Sequence, residues 1–307
     1  MSAGTAEPVD RVRLPWVLTV TLVNLGTFAA FFGPLQALLP AQAKAFDPDN
    51  KETVLAVVAG IGAAVSLVAN PLFGALSDRT TSRFGRRAPW ILGGTISGAL
   101  GLLVLATASG IAGMIVGWCL VQAAVNASLA AITATLPDRV PVSQRALAGG
   151  YVGLGQTLGV LVGVGLAIMV GGFRAGYVAC ALFLLVSAVP YLRRSDDPPI
   201  TERTAFAWRS FVRSFWISPR DHPDYAWAWG TRFLVNLGNA IATLYLLFYL
   251  EDEVKLDDPD GGLFVLITVY SLFVAATAVL AGRWSDRVGK RRVFVVISGI
   301  VIAIAGV

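Results

Sequence analysis

Residues 54–76 read VLAVVAGIGAAVSLVANPLFGAL, and residues 77–87 follow as SDRTTSRFGRR. The first string carries no charge over 23 positions, and a helix needs roughly 20 apolar residues to cross a bilayer. The second string gathers an aspartate, a glycine and four arginines into a short connector. A membrane strand would alternate apolar and polar residues over about ten positions. This run is longer and does not alternate, so it reads as a helix that crosses lipid and ends in a charged turn.

The same alternation of run and connector extends in both directions. Apolar segments cover 15–39, 54–76, 90–108, 111–136, 148–172, 175–192, 225–250 and 262–281, and a ninth begins near Val293. The composition agrees: the chain is 56% hydrophobic and 14% charged, against roughly 25% charged in a soluble domain. The expected fold is all-α: a polytopic bundle of about eight full transmembrane helices and the start of a ninth. Arg11 and Arg13 precede the first run, but that run is too long for the roughly 7–15-residue core of a cleavable signal.

The net charge of +5 does not point to nucleic acid, because the basic residues sit in the connectors. Lysine and arginine orient membrane helices, with the excess on the cytoplasmic side. With the N-terminus inside, 19 fall in cytoplasmic segments and four outside, namely Lys44, Lys51, Arg174 and Lys255. The expectation is therefore a multi-pass protein of the inner or plasma membrane, N-terminus cytoplasmic, with the lipid bilayer as its surroundings. The longest connector, 193–224, sets Phe206, Phe211, Phe215 and Trp216 among Arg209 and Arg213. It suits either a helix lying in the headgroup layer or an irregular linker. It divides the chain into a six-helix half (1–192), the central loop (193–224) and the start of a second half (225–307).

One long-period repeat stands out. Residues 74–87 read GALSDRTTSRFGRR and residues 282–292 read GRWSDRVGKRR, with Asp78 and Asp286 208 positions apart. Each copy holds Gly-x-x-Ser-Asp-Arg, then a glycine and a basic pair, directly after an even-numbered helix. Glycine lets helices approach closely, and an aspartate at such a turn needs a cationic or helix-terminal partner. On these residues the chain resembles the major facilitator superfamily, whose signature between its second and third helices is Gly-x-x-x-Asp-Arg-x-Gly-Arg-Arg. The longer first copy is similar to glycoside–cation symporters and plant-type sucrose transporters. The resemblance implies a cytoplasmic gate latched by Gly74, Asp78, Arg79, Arg83, Gly85, Arg86 and Arg87, and by Gly282, Asp286, Arg287, Gly289, Lys290 and Arg291. The alternative is plain positive-inside anchoring.

Polar side chains inside membrane helices are costly and point to function. Gln122, Asn126 and Thr133 share one face of the fourth segment, and Arg232, Asn236, Asn239 and Thr243 share one face of the seventh. Asn24 lies in the first segment and Gln156 in the fifth. The family's cavity lies between its halves near the membrane midplane. Asn24, Gln122, Asn126, Gln156, Arg232, Asn236 and Asn239 are thus candidate cavity residues, and helix–helix glue is the alternative. Gly155, Gly159 and Gly163 keep a small-xxx-small register that predicts close packing. The sucrose transporters place an aspartate roughly sixteen residues before the loop aspartate. Here that position falls on Gln122, and no Asp or Glu lies in the first six segments.

Cys119 and Cys180 both fall in apolar runs, and the single histidine is His222, so neither a disulfide framework nor a metal cluster is expected. No carboxylate pair or nucleophile–histidine arrangement suggests an enzyme, and no cofactor is expected. The expected function is secondary transport of a small solute by alternating access, with a sugar or glycoside leading and a proton or cation as coupling partner. Efflux of a drug or metabolite, or a non-transporting sensor, are the alternatives. The ninth run is fifteen residues long where the chain stops at Val307. This reading therefore expects further helices, or a partner chain, to be needed for transport.

Overall fold

The computed structural model describes residues 10–194, 217–288, 296, 297 and 299–301. Its order is α1 (Leu14–Gly33), a π-helical turn (Pro34–Leu38), α2 (Leu39–Phe46), α3 (Lys51–Ser77), α4 (Ala88–Thr107), α5 (Ile111–Arg139), α6 (Val142–Met169) and α7 (Phe173–Arg193). Then come α8 (Pro223–Leu244), α9 (Leu246–Phe248) with a π turn (Tyr249–Glu253), and α10 (Pro259–Val288). Six crossings long and apolar enough for a bilayer lie among the described residues. The pieces Pro223–Leu244 and Leu246–Glu253 make a seventh when counted together. The protein is an all-α, multi-pass membrane bundle.

The helices start where proline permits. Pro15, Pro89, Pro223 and Pro259 each stand in a first turn, where a missing N–H costs nothing. The first segment, expected to end at Leu39, continues to Phe46. Pro34 cannot donate into the helix, and a π turn absorbs the lost register. The connector expected over 137–147 shrinks to Val140–Pro141, because α5 runs through Asp138 and α6 starts at Val142. The seventh segment, expected to be continuous, is interrupted at Tyr245. The eighth begins at Pro259 and runs on to Val288. The possible interfacial helix at 206–216 and the body of the ninth run lie outside the described residues.

The chain forms two compact units. One holds α1–α7 together with Tyr245–Phe264, and the other holds α8 and the rest of α10. Within the first unit the packing follows an exchange pattern. Take α1–α2 as crossing one and α3 to α7 as crossings two to six. Crossing one packs on five as four packs on two, three packs on four as six packs on one, and three meets six. Two three-helix sets thus interlock. Their seams are close: a Cβ at Gly155, Gly159 or Gly163 would come 2.7, 2.6 or 2.5 Å from backbone oxygens of α1. The small-residue register in α6 is a packing device, as its spacing predicts. The outward stripe Leu92, Ile96, Leu100 and Leu103 on α4 is exposed, as a face meeting hydrocarbon should be.

Candidate functional site

The first motif copy sits where α3, α4 and α5 end together. Asp78 caps the C-terminus of α3, and Arg87 precedes the first turn of α4. The Arg87 side chain is only 3% exposed and makes three contacts. Its Nη2 lies 2.6 Å from Asp78 Oδ1, its Nε 2.9 Å from Asp138 Oδ2, and its Nη1 donates to Ser77 Oγ at 2.8 Å. Arg86 also pairs with Asp138. A desolvated guanidinium is costly unless paired, and here both carboxylates and a hydroxyl converge on it. Arg79 Nη1 donates to Ala75 O at 2.7 Å. Arg83 is exposed, with its guanidinium carbon 4.8 Å from the Phe84 ring centre. Gly85 turns the connector with φ of 83°, which an L side chain rarely adopts. Gly74 is less constrained, since a Cβ there would meet Ala130 Cβ at an ordinary 3.8 Å.

Asp138 was not among the candidates expected from the motif. It lies 51 residues from Arg87 in the chain, and its only sequence signal is a carboxylate at the end of an apolar run. In the second copy, Gly282, Asp286 and Arg287 lie on the backbone of α10 itself, where the motif was expected to follow the helix. Gly289, Lys290 and Arg291 lie outside the described residues.

Midway along the same unit is a cavity of about 250 Å³. Thr27, Phe28, Phe31 and Phe32 of α1 line it with Ser66 of α3 and Val125, Asn126 and Leu129 of α5. Phe28 and Phe32 stack at 5.7 Å between ring centres, and Phe31 meets Phe32 edge-on at 5.0 Å. Asn126 is held from two sides. Its Nδ2 donates to Gln122 O at 2.8 Å, and its Oδ1 accepts from Asn70 Nδ2 at 3.2 Å. The lining is aromatic with a few uncharged polar groups, a surface suited to a neutral amphipathic molecule.

The other expected cavity residues are placed differently. Asn24 is fully buried and donates to Val152 O at 3.0 Å, which joins α1 to α6. Gln122 is buried behind Asn126, and neither it nor the half-buried Gln156 lines this cavity. Arg232, Asn236 and Asn239 are exposed on α8 in the second unit, where Asn239 Oδ1 accepts from Tyr270 OH at 3.2 Å. Asn70, Ser66 and the three phenylalanines escaped the sequence argument. Asn70 and Ser66 carried a usable signal: two polar residues four apart in an uncharged run.

The end of α3 opposite Asp78 carries a second charge cluster. Lys51 Nζ lies 2.6 Å from Asp252 Oδ2 and 4.8 Å from the Phe248 ring centre, and Lys44 pairs with Glu251. Leu247, Phe248 and Leu250 are buried beneath these pairs. The segment Leu246–Glu253 is thus docked on α2 and α3 by charge and by apolar contact. These residues had served only as orientation signals in the sequence.

A 40-residue stretch is 55% identical to an uncharacterized symporter of Synechocystis, covering 13% of this chain and 7% of that protein. The sequence profile of the Major Facilitator Superfamily matches residues 17–307, nearly the whole helical chain just described. The chain belongs to the Major Facilitator Superfamily.

Proposed function

We propose that the protein moves a small, uncharged, polar-faced solute, a sugar or glycoside, across the plasma or inner membrane by alternating access, with cation symport as the coupling. The cavity carries this reading. Three phenylalanines offer flat apolar faces, while Asn126, Ser66 and Thr27 offer hydrogen bonds, and among the described residues no charged side chain lines it. Sugars pair an apolar ring face with hydroxyl edges, which suits this combination. The name of the Synechocystis relative supports symport, and the extended first motif supports the glycoside–cation and sucrose-transporter branch. Efflux of an apolar metabolite is the second reading, favoured by the apolar majority of the same lining.

On this reading the N-terminus is cytoplasmic. The Asp78–Arg87–Asp138 cluster then forms the inner latch and the Lys44/Lys51–Glu251/Asp252 pairs the outer one. The second motif copy, from Gly282 to Arg291, serves the other half in the same way. Asn236, Asn239 and Arg232 on α8 also take part in solute binding.

The deciding experiment is thermal unfolding of the purified protein against a panel of neutral glycosides and of apolar cations. A bound ligand at 100 times its Kd stabilises by about 2.7 kcal/mol. A glycoside should raise Tm by several degrees, and Asn126→Ala should abolish the rise. Stabilisation by apolar cations alone would establish the efflux reading instead.

A further inference from the structure

A cleft in the first unit lies away from the solute cavity and is used by nothing described above. Helices α3 and α4 both pack on α5 and hardly touch each other, which leaves a groove of about 550 Å³ between them. Its floor is made of small residues, Gly93 and Ser97 from α4 and Ala123 and Ala127 from α5. A Cβ added at Gly93 would meet nothing within 4 Å, so the groove is open there. Phe73 and Trp90 close one end, with ring centres 5.5 Å apart. Trp90 Nε1 donates to Thr80 Oγ1 at 2.7 Å, and Thr80 donates to Leu76 O at 3.0 Å. The polar groups at that end satisfy one another, and what remains for an occupant is a narrow apolar channel beside the lipid-facing stripe of α4.

The closed end is also the root of the connector that carries Arg79, Arg83, Arg86 and Arg87. Arg86 and Arg87 are neutralised by Asp78 and Asp138. Arg83 is exposed beside the exposed Phe84 ring, an apolar and cationic pair at the level where headgroups meet helix ends. We propose that this groove is a binding site for an anionic phospholipid, with one acyl chain lying in the channel and the headgroup phosphate on Arg83. The charge on the connector rooted at the closed end selects the anionic class. One basic residue near an anionic surface favours the charged lipid by about fivefold.

The test is lipid retention by the purified chain. The protein is equilibrated in nanodiscs of equal phosphatidylglycerol and phosphatidylcholine, re-extracted in mild detergent, and weighed by native mass spectrometry. The wild type should keep one phosphatidylglycerol, preferred about fivefold over phosphatidylcholine. Gly93→Leu, and Ser97→Leu one turn along, should fill the channel and lose both lipids, with helix content and elution unchanged. Arg83→Ala should keep one lipid and lose the preference. Equal retention by wild type and both channel-filling variants would overturn the proposal. So would an undiminished preference in Arg83→Ala, a wild type that keeps no lipid, or a wild-type dimer that the channel-filling variants dissociate.

Discussion

Arg87 and Asn126 show what single residues decide here. Arg87 is 3% exposed, Asp138 21% and Asp78 58%, so the two carboxylates are not equivalent. An exposed pair contributes about 0–1 kcal/mol, whereas breaking a buried pair costs about 3–5 kcal/mol. Asp78→Asn should therefore express and fold normally, and a latch role predicts that it cuts solute flux in liposomes. Wild-type turnover would reduce the loop to an anchor. Asp138→Asn removes the shared partner of Arg86 and Arg87, and should lower Tm by several degrees in a detergent melt. Asn126 and Asn24 separate ligand contact from glue. Interhelical hydrogen bonds in membranes average about 0.6 kcal/mol, while an unpaired polar group facing a ligand costs about 1–3 kcal/mol. Asn126→Ala should weaken solute binding more than it lowers Tm. Asn24→Ala, which removes the bond to Val152 O, should do the reverse. Their sequence contexts are alike, an amide in an apolar run, and nothing local says that one bonds a backbone carbonyl of another helix and the other lines a cavity. The phenylalanines are hidden for the complementary reason: lipid and cavity both accept Phe, so an aromatic on a membrane helix does not declare which it faces.

At the level of elements, the crossings were legible because an uncharged run of about 18 residues or more has few other fates in a protein. The ends were less so. A helix that continues through Asp138 or past Pro34 does so because tertiary partners hold it: Gln42 of α2 donates to Leu105 O at 2.9 Å and accepts from Tyr177 OH at 2.8 Å. The break at Tyr245 has no proline or glycine at the site to announce it. Beyond it, Leu246–Glu253 joins the first unit through Lys44 and Lys51. The two pairs differ in weight, because the Lys51 side chain is 10% exposed and that of Lys44 50%. Lys51→Glu should release the segment and Lys44→Glu should barely loosen it. Cysteines at Lys44 and Glu251, in a background without Cys119 and Cys180, give the readout. Disulfide yield should fall when Lys51→Glu is added and recover when Asp252→Lys is added with it. A yield indifferent to Lys51 would mean that Leu247, Phe248 and Leu250 dock the segment without help from charge.

Across the whole molecule, the two charge clusters fix the scale of the membrane. They lie at opposite ends of α3, a helix of 27 residues that spans roughly 40 Å at 1.5 Å per residue. The hydrocarbon core is about 30 Å thick, so each cluster reaches a water-facing surface, one on each side. Which surface is which does not follow from the packing, because a helical bundle is equally stable in either orientation. We propose that it follows from the lysine and arginine bias, 19 expected on the side of the 77–89 connector against four on the other, since charge bias sets insertion. A single cysteine replacing Arg83 should then react with an impermeant maleimide in inside-out vesicles and stay silent in intact cells. One replacing Asp257, exposed near the other end, should show the opposite pattern. Both positions are solvent-accessible, so a silent cysteine reports sidedness and not burial, and permeabilised cells should label both. Labelling of the Arg83 position in intact cells would invert the orientation. The Asp78–Arg87–Asp138 cluster would then be the outer latch, and the lysine–acid pairs on Leu246–Glu253 the inner one.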